Sequence, residues 1–201
     1  MDEDSPEIAR LREDIVVHAN VRGVSLTLHT TWGLFSPRSV DEGTRLLLDH
    51  IEVNPADHGI DLGCGYGPLG LVLARLAPQG RMLLIDKDVV AVEYSRLNAT
   101  RNGLSNVEAR LSNGFANVPE RGFDLIASNV PAKTGNELWT LFLVDAYRRL
   151  RPGGRLYVVT ITGLRRFVER TCGEVFGNYH KLKQGKTYTV ALAERPTTAH
   201  G

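Results

Sequence analysis

The densest chemistry in the chain lies between Asp61 and Gly70. There Asp-Leu-Gly-Cys-Gly-Tyr-Gly-Pro-Leu-Gly sets one carboxylate and four glycines across the passage from an apolar strand to a helix. Glycines at 63, 65 and 67 open backbone conformations that a side chain forbids, so a ligand can come within hydrogen-bonding distance of the main chain. Pro68 suits a first helical position, where its missing N–H is no loss. Polar residues close later apolar runs in the same way: Asp86 after Met82 to Ile85, Asn113 just past Val107 to Leu111, and Asn129 after Phe123 to Ser128. Sheets with crossover helices bind their ligands beyond such strand ends.

Two nucleotides compete for the turn. Gly65, Gly67 and Gly70 satisfy the dinucleotide pattern G-x-G-x-x-G, and Asp86 follows near the expected spacing of about 20 residues, which taken alone suggests NAD. Asp61 argues otherwise. A dinucleotide places its pyrophosphate at the helix N-terminus, where a fixed carboxylate repels it, whereas an ammonium group is attracted there. S-adenosyl-L-methionine carries an α-ammonium and a sulfonium and no phosphate, so its methionine end fits Asp61 better. Asp86 accepts hydrogen bonds from ribose hydroxyls in either case. The plainer reading, a glycine-rich turn with no ligand, requires all these matched features to coincide.

The elements that must position these residues alternate. Pro6 to about Val16 has helical spacing, and Val24, Leu26 and Leu28 alternate with polar residues in strand fashion, together forming an extension at residues 1–30. Asp41 can cap a helix whose inward stripe is Thr44, Leu47, Leu48 and Ile51. Strands follow at 59–62, 81–86, 107–111, 123–128 and 155–160, with helices at 68–76, 89–102, 139–150 and 164–176 between them. A hairpin closes the chain at 179–182 and 187–193 around Gln184-Gly185-Lys186. This predicts an α/β, Rossmann-like fold of one domain over 1–201. Its core at 31–195 is a mostly parallel seven-stranded sheet with a C-terminal antiparallel pair and helices on both faces.

Composition adds bounds. The chain has 201 residues, 42% of them apolar and 23% charged, as in a soluble globular protein. No apolar run has the length of a membrane span, and the start is acidic rather than signal-like, so the expected location is the cytoplasm. Two cysteines and six scattered histidines give no metal-ligand spacing, so no metal is expected, and Cys64 reads as a small apolar packing residue. The net charge of +1 hides an asymmetry, because residues 1–14 hold six acids against two arginines and leave the remainder at +5. Such a body could meet a polyanion.

With the strand ends in place, the chain resembles class I S-adenosylmethionine-dependent methyltransferases. The likeness is to the "small domain" group that includes the ribosomal RNA guanine-N2 methyltransferases and their single-domain archaeal relatives, and it runs from about Leu26 to Ala193. Its more specific parts are Thr31-Trp32-Gly33-Leu34-Phe35-Ser36, Val40-Asp41-Glu42-Gly43-Thr44, Arg101-Asn102 and Leu111-Ser112-Asn113-Gly114-Phe115. The resemblance implies that Asp61 with Gly63, Cys64, Gly65 and Gly67 holds the methionine end, and Asp86 with Lys87 beside it the ribose. It further implies that Asn113, Gly114 and Phe115 hold the adenine edge, and that Phe35 and Thr44 help close the site. Core packing for Phe35 and a turn role for Asn113 stand as alternatives.

The fourth motif departs from the family. Relatives that methylate an exocyclic amine carry Asn-Pro-Pro and an aromatic residue, where this chain has Asn129-Val130-Pro131-Ala132-Lys133. Asn129 keeps an amide oxygen and Val130 a backbone carbonyl to accept amine protons, Pro131 is expected to shape the loop, and Asn129 also borders the cofactor. The aromatic face is lost, and stacking a base on one is worth about 1–3 kcal/mol. Trp32, Tyr66 or Trp139 could replace it, and each could equally be core. The resulting expectation is a methyltransferase acting on an exocyclic amine, guanine N2, of RNA, ribosomal RNA included. The alternatives are a small-molecule methyltransferase and a non-catalytic S-adenosylmethionine-binding protein, as monomer or homodimer, away from membranes. Arg165 and Arg166 are expected on the functional face, where they either contact phosphate or are simply solvated. His180, Lys181, Lys183 and Lys186 read as solvation of the exposed hairpin.

Overall fold

The structure, a computed structural model, describes residues 6–129 and 135–197. Val130, Pro131, Ala132 and Lys133 therefore lie outside the described residues. Helix α1 (Pro6–Arg12) leads into strands β1 (Ile15–Val21) and β2 (Val24–Thr30), followed by α2 (Glu42–His50). Then come β3 (Gly59–Leu62), α3 (Pro68–Leu76), β4 (Met82–Asp86), α4 (Val89–Arg101), β5 (Val107–Leu111) and β6 (Phe123–Asn129). The chain continues with α5 (Asn136–Arg149), β7 (Leu150–Ile161), a short 3-10 turn over 162–164, α6 (Arg165–Phe176), β8 (His180–Gln184) and β9 (Tyr188–Glu194).

Seven strands form one sheet in the order β5-β4-β3-β6-β7-β9-β8, the first five parallel and the last pairings antiparallel. The chain builds outward from β3 through β4 to β5, then returns to place β6 on the other side of β3. That reversal opens a crevice beyond the carboxyl ends of β3 and β6, where a sheet of this kind receives its ligand. Every residue of β3 is buried, as a central parallel strand covered on both faces requires. Helices α2, α3 and α4 cover one face with a core that includes Leu47, Leu71, Leu84, Leu125 and Val159. Helices α5 and α6 cover the other over Ile60, Ile85, Ile126, Trp139 and Val168.

The N-terminal segment differs from the sequence expectation. The helix expected to reach Val16 stops at Arg12, and Ile15 to Val21 pairs with β2 as an antiparallel hairpin. Its alternating burial leaves Val17, Ala19 and Val21 facing inward, a period of two that a helical count through Val16 overruns. Arg22 and Gly23 both have positive φ, as a two-residue hairpin turn demands, and the Arg22 guanidinium donates to the Ile51 carbonyl at 2.7 Å. Further on, α5 starts at Asn136 rather than Trp139, and β7 absorbs the Pro-Gly-Gly step from Leu150 onward.

Gly70 sets the closeness of α3 to the sheet. A Cβ there would stand 2.6 Å from Leu84 Cγ and 2.9 Å from an Asp61 carboxylate oxygen. Gly70→Ala is expected to force α3 off the sheet at a cost of about 1–3 kcal/mol. Thermal unfolding would show a melting temperature lower by several degrees, and an unchanged value would refute this packing.

Candidate active site

The glycine turn is held from three sides. Gly63 and Cys64 both donate backbone N–H to Ile85 O, at 2.8 and 3.1 Å, which docks the turn on the end of β4. Gly65 N donates to Asp86 Oδ2 at 2.9 Å, and the other Asp86 oxygen accepts from Asp88 N at 3.0 Å. From α4, Ser95 donates to Gly65 O at 2.9 Å and Asn98 to Tyr66 O at 2.9 Å. Gly63 and Gly65 have positive φ, and nothing lies within 4 Å of where their Cβ atoms would be. The turn therefore presents open space on its outer side. Gly67, also at positive φ, serves α3 instead, since a Cβ there would press on Leu71 and Ser95.

Asp61 lies at the root of this turn, 1% exposed, with Oδ2 accepting from Gly70 N at 2.8 Å. Burial pushes its carboxyl up to about 7, against the lowering effect of the Gly70 bond, and the charge of Asp86 raises it further. A buried carboxylate with so few donors is poised for a cation. An ammonium approaching over Gly63 and Gly65, with vicinal hydroxyls reaching Asp86, matches both the open turn and the two acids. Cys64 is 4% exposed, and burial holds its thiol well above the usual range, so it packs as expected for a small apolar residue.

The turn after β5 is organised by Ser112. Its N–H donates to Asp86 O at 2.7 Å, its hydroxyl donates to Gly114 O at 2.7 Å, and its Oγ accepts from Asn117 N at 3.0 Å. Asn113 is exposed, so loop stabilisation falls to its neighbour and its side chain is left at the carboxyl edge. Gly114 has a φ of 56° and packs so closely on Phe142 that a Cβ would lie 2.3 Å from the ring. Phe115 is 2% exposed and belongs to the core beneath the turn. Lys87 is exposed beside Asp86.

Asn129, the last residue of β6, is fixed by α2. Its Nδ2 donates to Asp41 Oδ2 at 2.9 Å and to Thr44 Oγ1 at 2.9 Å. Asp41 caps α2 through Gly43 N at 2.8 Å and Thr44 N at 3.3 Å, and its other oxygen accepts from the Tyr188 hydroxyl at 3.3 Å. A carboxylate only accepts, so the NH2 end of the Asn129 amide must face it and the amide oxygen is turned away from Asp41. Thr44 is 4% exposed and supports Asn129 from within. The Tyr188 ring covers the first turn of α2, where a Gly43 Cβ would lie 3.0 Å from it.

The remaining aromatic candidates separate. Tyr66 is 2% exposed and donates to Ser36 O and Ser39 O at 3.2 and 3.0 Å, which pins the 36–39 segment to the glycine turn. Trp139 is equally buried in the core. Phe35 is 66% exposed, which removes core packing as its role, and Trp32 is 42% exposed with the Arg38 guanidinium 4.8 Å from its ring centre. Sequence reasoning missed Tyr188, Ser95 and Asn98 as site residues. Ser95 and Asn98 left a signal, being polar members of the buried stripe Ala91, Val92, Ser95, Asn98 and Ala99 on α4. The contact of Tyr188 depends on strand order, which local spacing does not contain.

A seven-stranded sheet in this order, with a glycine turn after its first strand and acids closing the first two, defines the class I S-adenosylmethionine-dependent methyltransferases. The sequence matches the methyltransferase small domain family over residues 25–192, and the chain belongs to that family. It is 36% identical over 179 residues to the uncharacterised protein YbxB of Bacillus subtilis, covering 87% of this chain and 89% of that one. It is 34% identical over 172 residues to ribosomal RNA small subunit methyltransferase C of Hamiltonella defensa, covering 83% of this chain and 49% of the relative. The solved 16S rRNA N2 methyltransferase RsmC of T. thermophilus, in complex with AdoMet and guanosine, superposes with a TM-score of 0.82 at 30% identity, over 90% of this chain and 50% of that one. The chain thus spans about half the length of these two ribosomal RNA methyltransferases. Among the described residues no group of His, Cys, Asp or Glu could hold a metal ion, and no helix is long and apolar enough to cross a membrane.

Asn129→Asp tests the geometry without any substrate. It sets a second carboxylate oxygen 2.9 Å from Asp41 Oδ2. Repulsion then raises the folded-state pKa of the pair above the unfolded value. The stability of the variant is accordingly retained at low pH and lost as pH rises through that raised pKa. Its melting temperature should fall further below wild type at pH 8 than at pH 5. An equal deficit at both pH values would show that the two side chains do not meet.

Proposed function

We propose that the protein transfers the methyl group of S-adenosylmethionine to an exocyclic amine, N2 of a guanine in RNA, with residues 31–195 as the catalytic core and the cytoplasm as its place of action. The orientation of Asn129 carries this reading. With its NH2 group committed to Asp41 and Thr44, the amide oxygen is the end left to meet an acceptor, and an oxygen there takes hydrogen bonds. An exocyclic amine brings N–H bonds to offer. A hydroxyl or thiol acceptor would need a base, and an amide is not one.

The lone pair of such an amine is delocalised into its ring. Accepting its protons at Asn129 Oδ1 orients the nitrogen for in-line attack, so positioning supplies most of the acceleration. Bound S-adenosylmethionine supplies the electrophile, a methyl group on a positive sulfur. The nitrogen would gain the methyl as the methyl–sulfur bond breaks to leave a neutral thioether, and would then shed one proton to solvent, so Asn129 never holds a charge. Asp61 receives the α-ammonium over the turn of Gly63, Cys64, Gly65 and Gly67, and Asp86 with Lys87 takes the ribose. Asn113 meets the adenine edge on the platform of Gly114 and Phe115, Phe35 closes the site, and Thr44 backs it through Asn129.

Support for RNA comes from the two ribosomal RNA methyltransferases among the relatives, one of them solved with guanosine. The assay is transfer of a labelled methyl group into unmodified ribosomal RNA, with the product nucleoside identified by mass spectrometry. N2-methylguanosine is expected. Label in a small-molecule pool and none in RNA would overturn the proposal.

Asn129→Ala should lower kcat about 10²–10³-fold, as loss of one preorganised transition-state contact does, while cofactor affinity stays at its wild-type value. Parallel loss of both would reject the role. Asp61 gives a pH signature. With its carboxyl at about 7 before binding, pairing with an ammonium lowers that value, so binding below pH 7 must expel a proton. Cofactor affinity should fall as pH drops from 7 to 6, and calorimetry in buffers of different ionisation enthalpy should detect net proton release at pH 6 that declines as pH rises towards 8, where the amine itself begins to need a proton. Proton-neutral binding at pH 6 would remove Asp61 from the cofactor site.

A further inference from the structure

The sheet order divides the carboxyl edge into two halves about β6. On one side stand the ends of β3, β4 and β5, with Asp61, Asp86 and the Ser112 turn. On the other stand the end of β7, the start of α6 and the tip of the β8–β9 hairpin. The register fixes this second group: Ile161 lies opposite Tyr188, Thr160 opposite Thr189 and Gln184 opposite Thr189. Thr162 N donates to Thr187 O at 2.8 Å. Gln184 and Lys181, which lies opposite Ala191, therefore share the sheet face covered by α6 and stand beside Arg165, with Lys186 at the hairpin tip, on the flank of Asn129 away from Asp61 and Asp86.

The charges of this second half are uncompensated. Elsewhere Arg81, Arg110, Arg149, Arg151, Arg155 and Arg170 each have a carboxylate within 4 Å, and Arg22, Arg45, Arg75, Arg96 and Arg195 are held on backbone carbonyls instead. Among the described residues Arg165, Arg166, Lys181, Lys183 and Lys186 have no such carboxylate. Arg165 Nη1 and Lys181 Nζ instead converge on one neutral acceptor, Gln184 Oε1, at 2.7 and 3.2 Å. The carboxylates bordering the face are Asp41 and Glu42, which act on Tyr188, and Glu169, which acts on Tyr179, and Asp41 is already engaged by Asn129 and the cap of α2. Stability does not account for the arginines. They occupy the first turn of α6, which has no acidic residue, and a helix N-terminus disfavours cations. Protection of the exposed edge explains lysines on β8 but not arginines on a helix.

We propose that Arg165, Arg166, Lys181 and Lys186 form the docking face for the phosphodiester backbone of the acceptor RNA, next to the site where its guanine meets Asn129. The inference rests on the RNA reading above. Phosphates supply the missing counter-charge, and sequence-independent contacts of this kind set the register of a nucleic acid on its enzyme.

The test uses two charge-reversed proteins, Arg165→Glu with Arg166→Glu, and Lys181→Glu with Lys186→Glu. The first places acids where the α6 dipole favours them, so folding is not at risk. Binding of a fluorescent, guanine-containing single-stranded RNA is followed by anisotropy across a salt series, with cofactor affinity measured by calorimetry. Each pair should weaken RNA binding at least about tenfold and flatten the log–log salt slope by about 1.4, at ~0.7 per phosphate contact, while cofactor affinity remains at wild type. If the wild-type protein methylates RNA and both variants keep its affinity and slope, the docking face is wrong and the RNA reading survives. If the wild-type protein neither binds nor methylates RNA, both fall together.

Discussion

One carboxylate joins the three elements that converge over the centre of the sheet. Asp41 takes two backbone N–H groups of α2, the amide of Asn129 from β6 and the hydroxyl of Tyr188 from β9. Each bond alone is ordinary. Together they turn a helix cap into a joint, because an acceptor-only group with four donors decides which way the Asn129 amide points. The carbonyl end of the Asn129 amide is thus oriented by the group that starts a helix, and one residue serves both the helix and the strand end. Gly43 completes the arrangement by its lack of a side chain, which lets the Tyr188 ring lie against α2.

The cofactor half follows a different logic. Asp61 is almost fully buried, and with one backbone bond it is held near neutrality's midpoint rather than firmly ionised. The fold bears that cost by packing Gly70 against Leu84, which brings an N–H of the first turn of α3 to the carboxyl. A cation then finds a site whose charge it completes. On the other side of Asn129 the relation is reversed, with cations lacking carboxylate partners. The order of strands, reversing at β3, keeps these opposite demands apart.

The glycine turn, both acids at the strand ends, the alternating elements and the cap at Asp41 were all legible in the sequence, because each is a local pattern with a local physical cause. The N-terminal hairpin was not: Ile8, Leu11 and Ile15 satisfy a helical count that runs into a strand, and the Arg22-Gly23 turn that separates the readings is short. Trp32, Tyr66 and Trp139 could not be ranked as base-stacking candidates, since exposure of an aromatic ring depends on what lies across from it. The meeting of Asp41, Asn129 and Tyr188 was beyond reach for a similar reason. It joins residues far apart in the chain through strand order and register, and no spacing along the chain encodes either.

Asn98 of α4 has a wider consequence. Fully buried, it donates to the carbonyl of Tyr66 in the glycine turn and to that of His29 in β2, and accepts from His29 N. A single amide therefore bolts the N-terminal hairpin to the segment that cradles the cofactor. A truncation that begins the chain at residue 31, trimming what looks like an appendage, would strip that bolt of two of its three partners. The residues ahead of the core at 31–195 are a splint for its most glycine-rich segment, and a fragment meant to keep the shape of that segment has to carry them along.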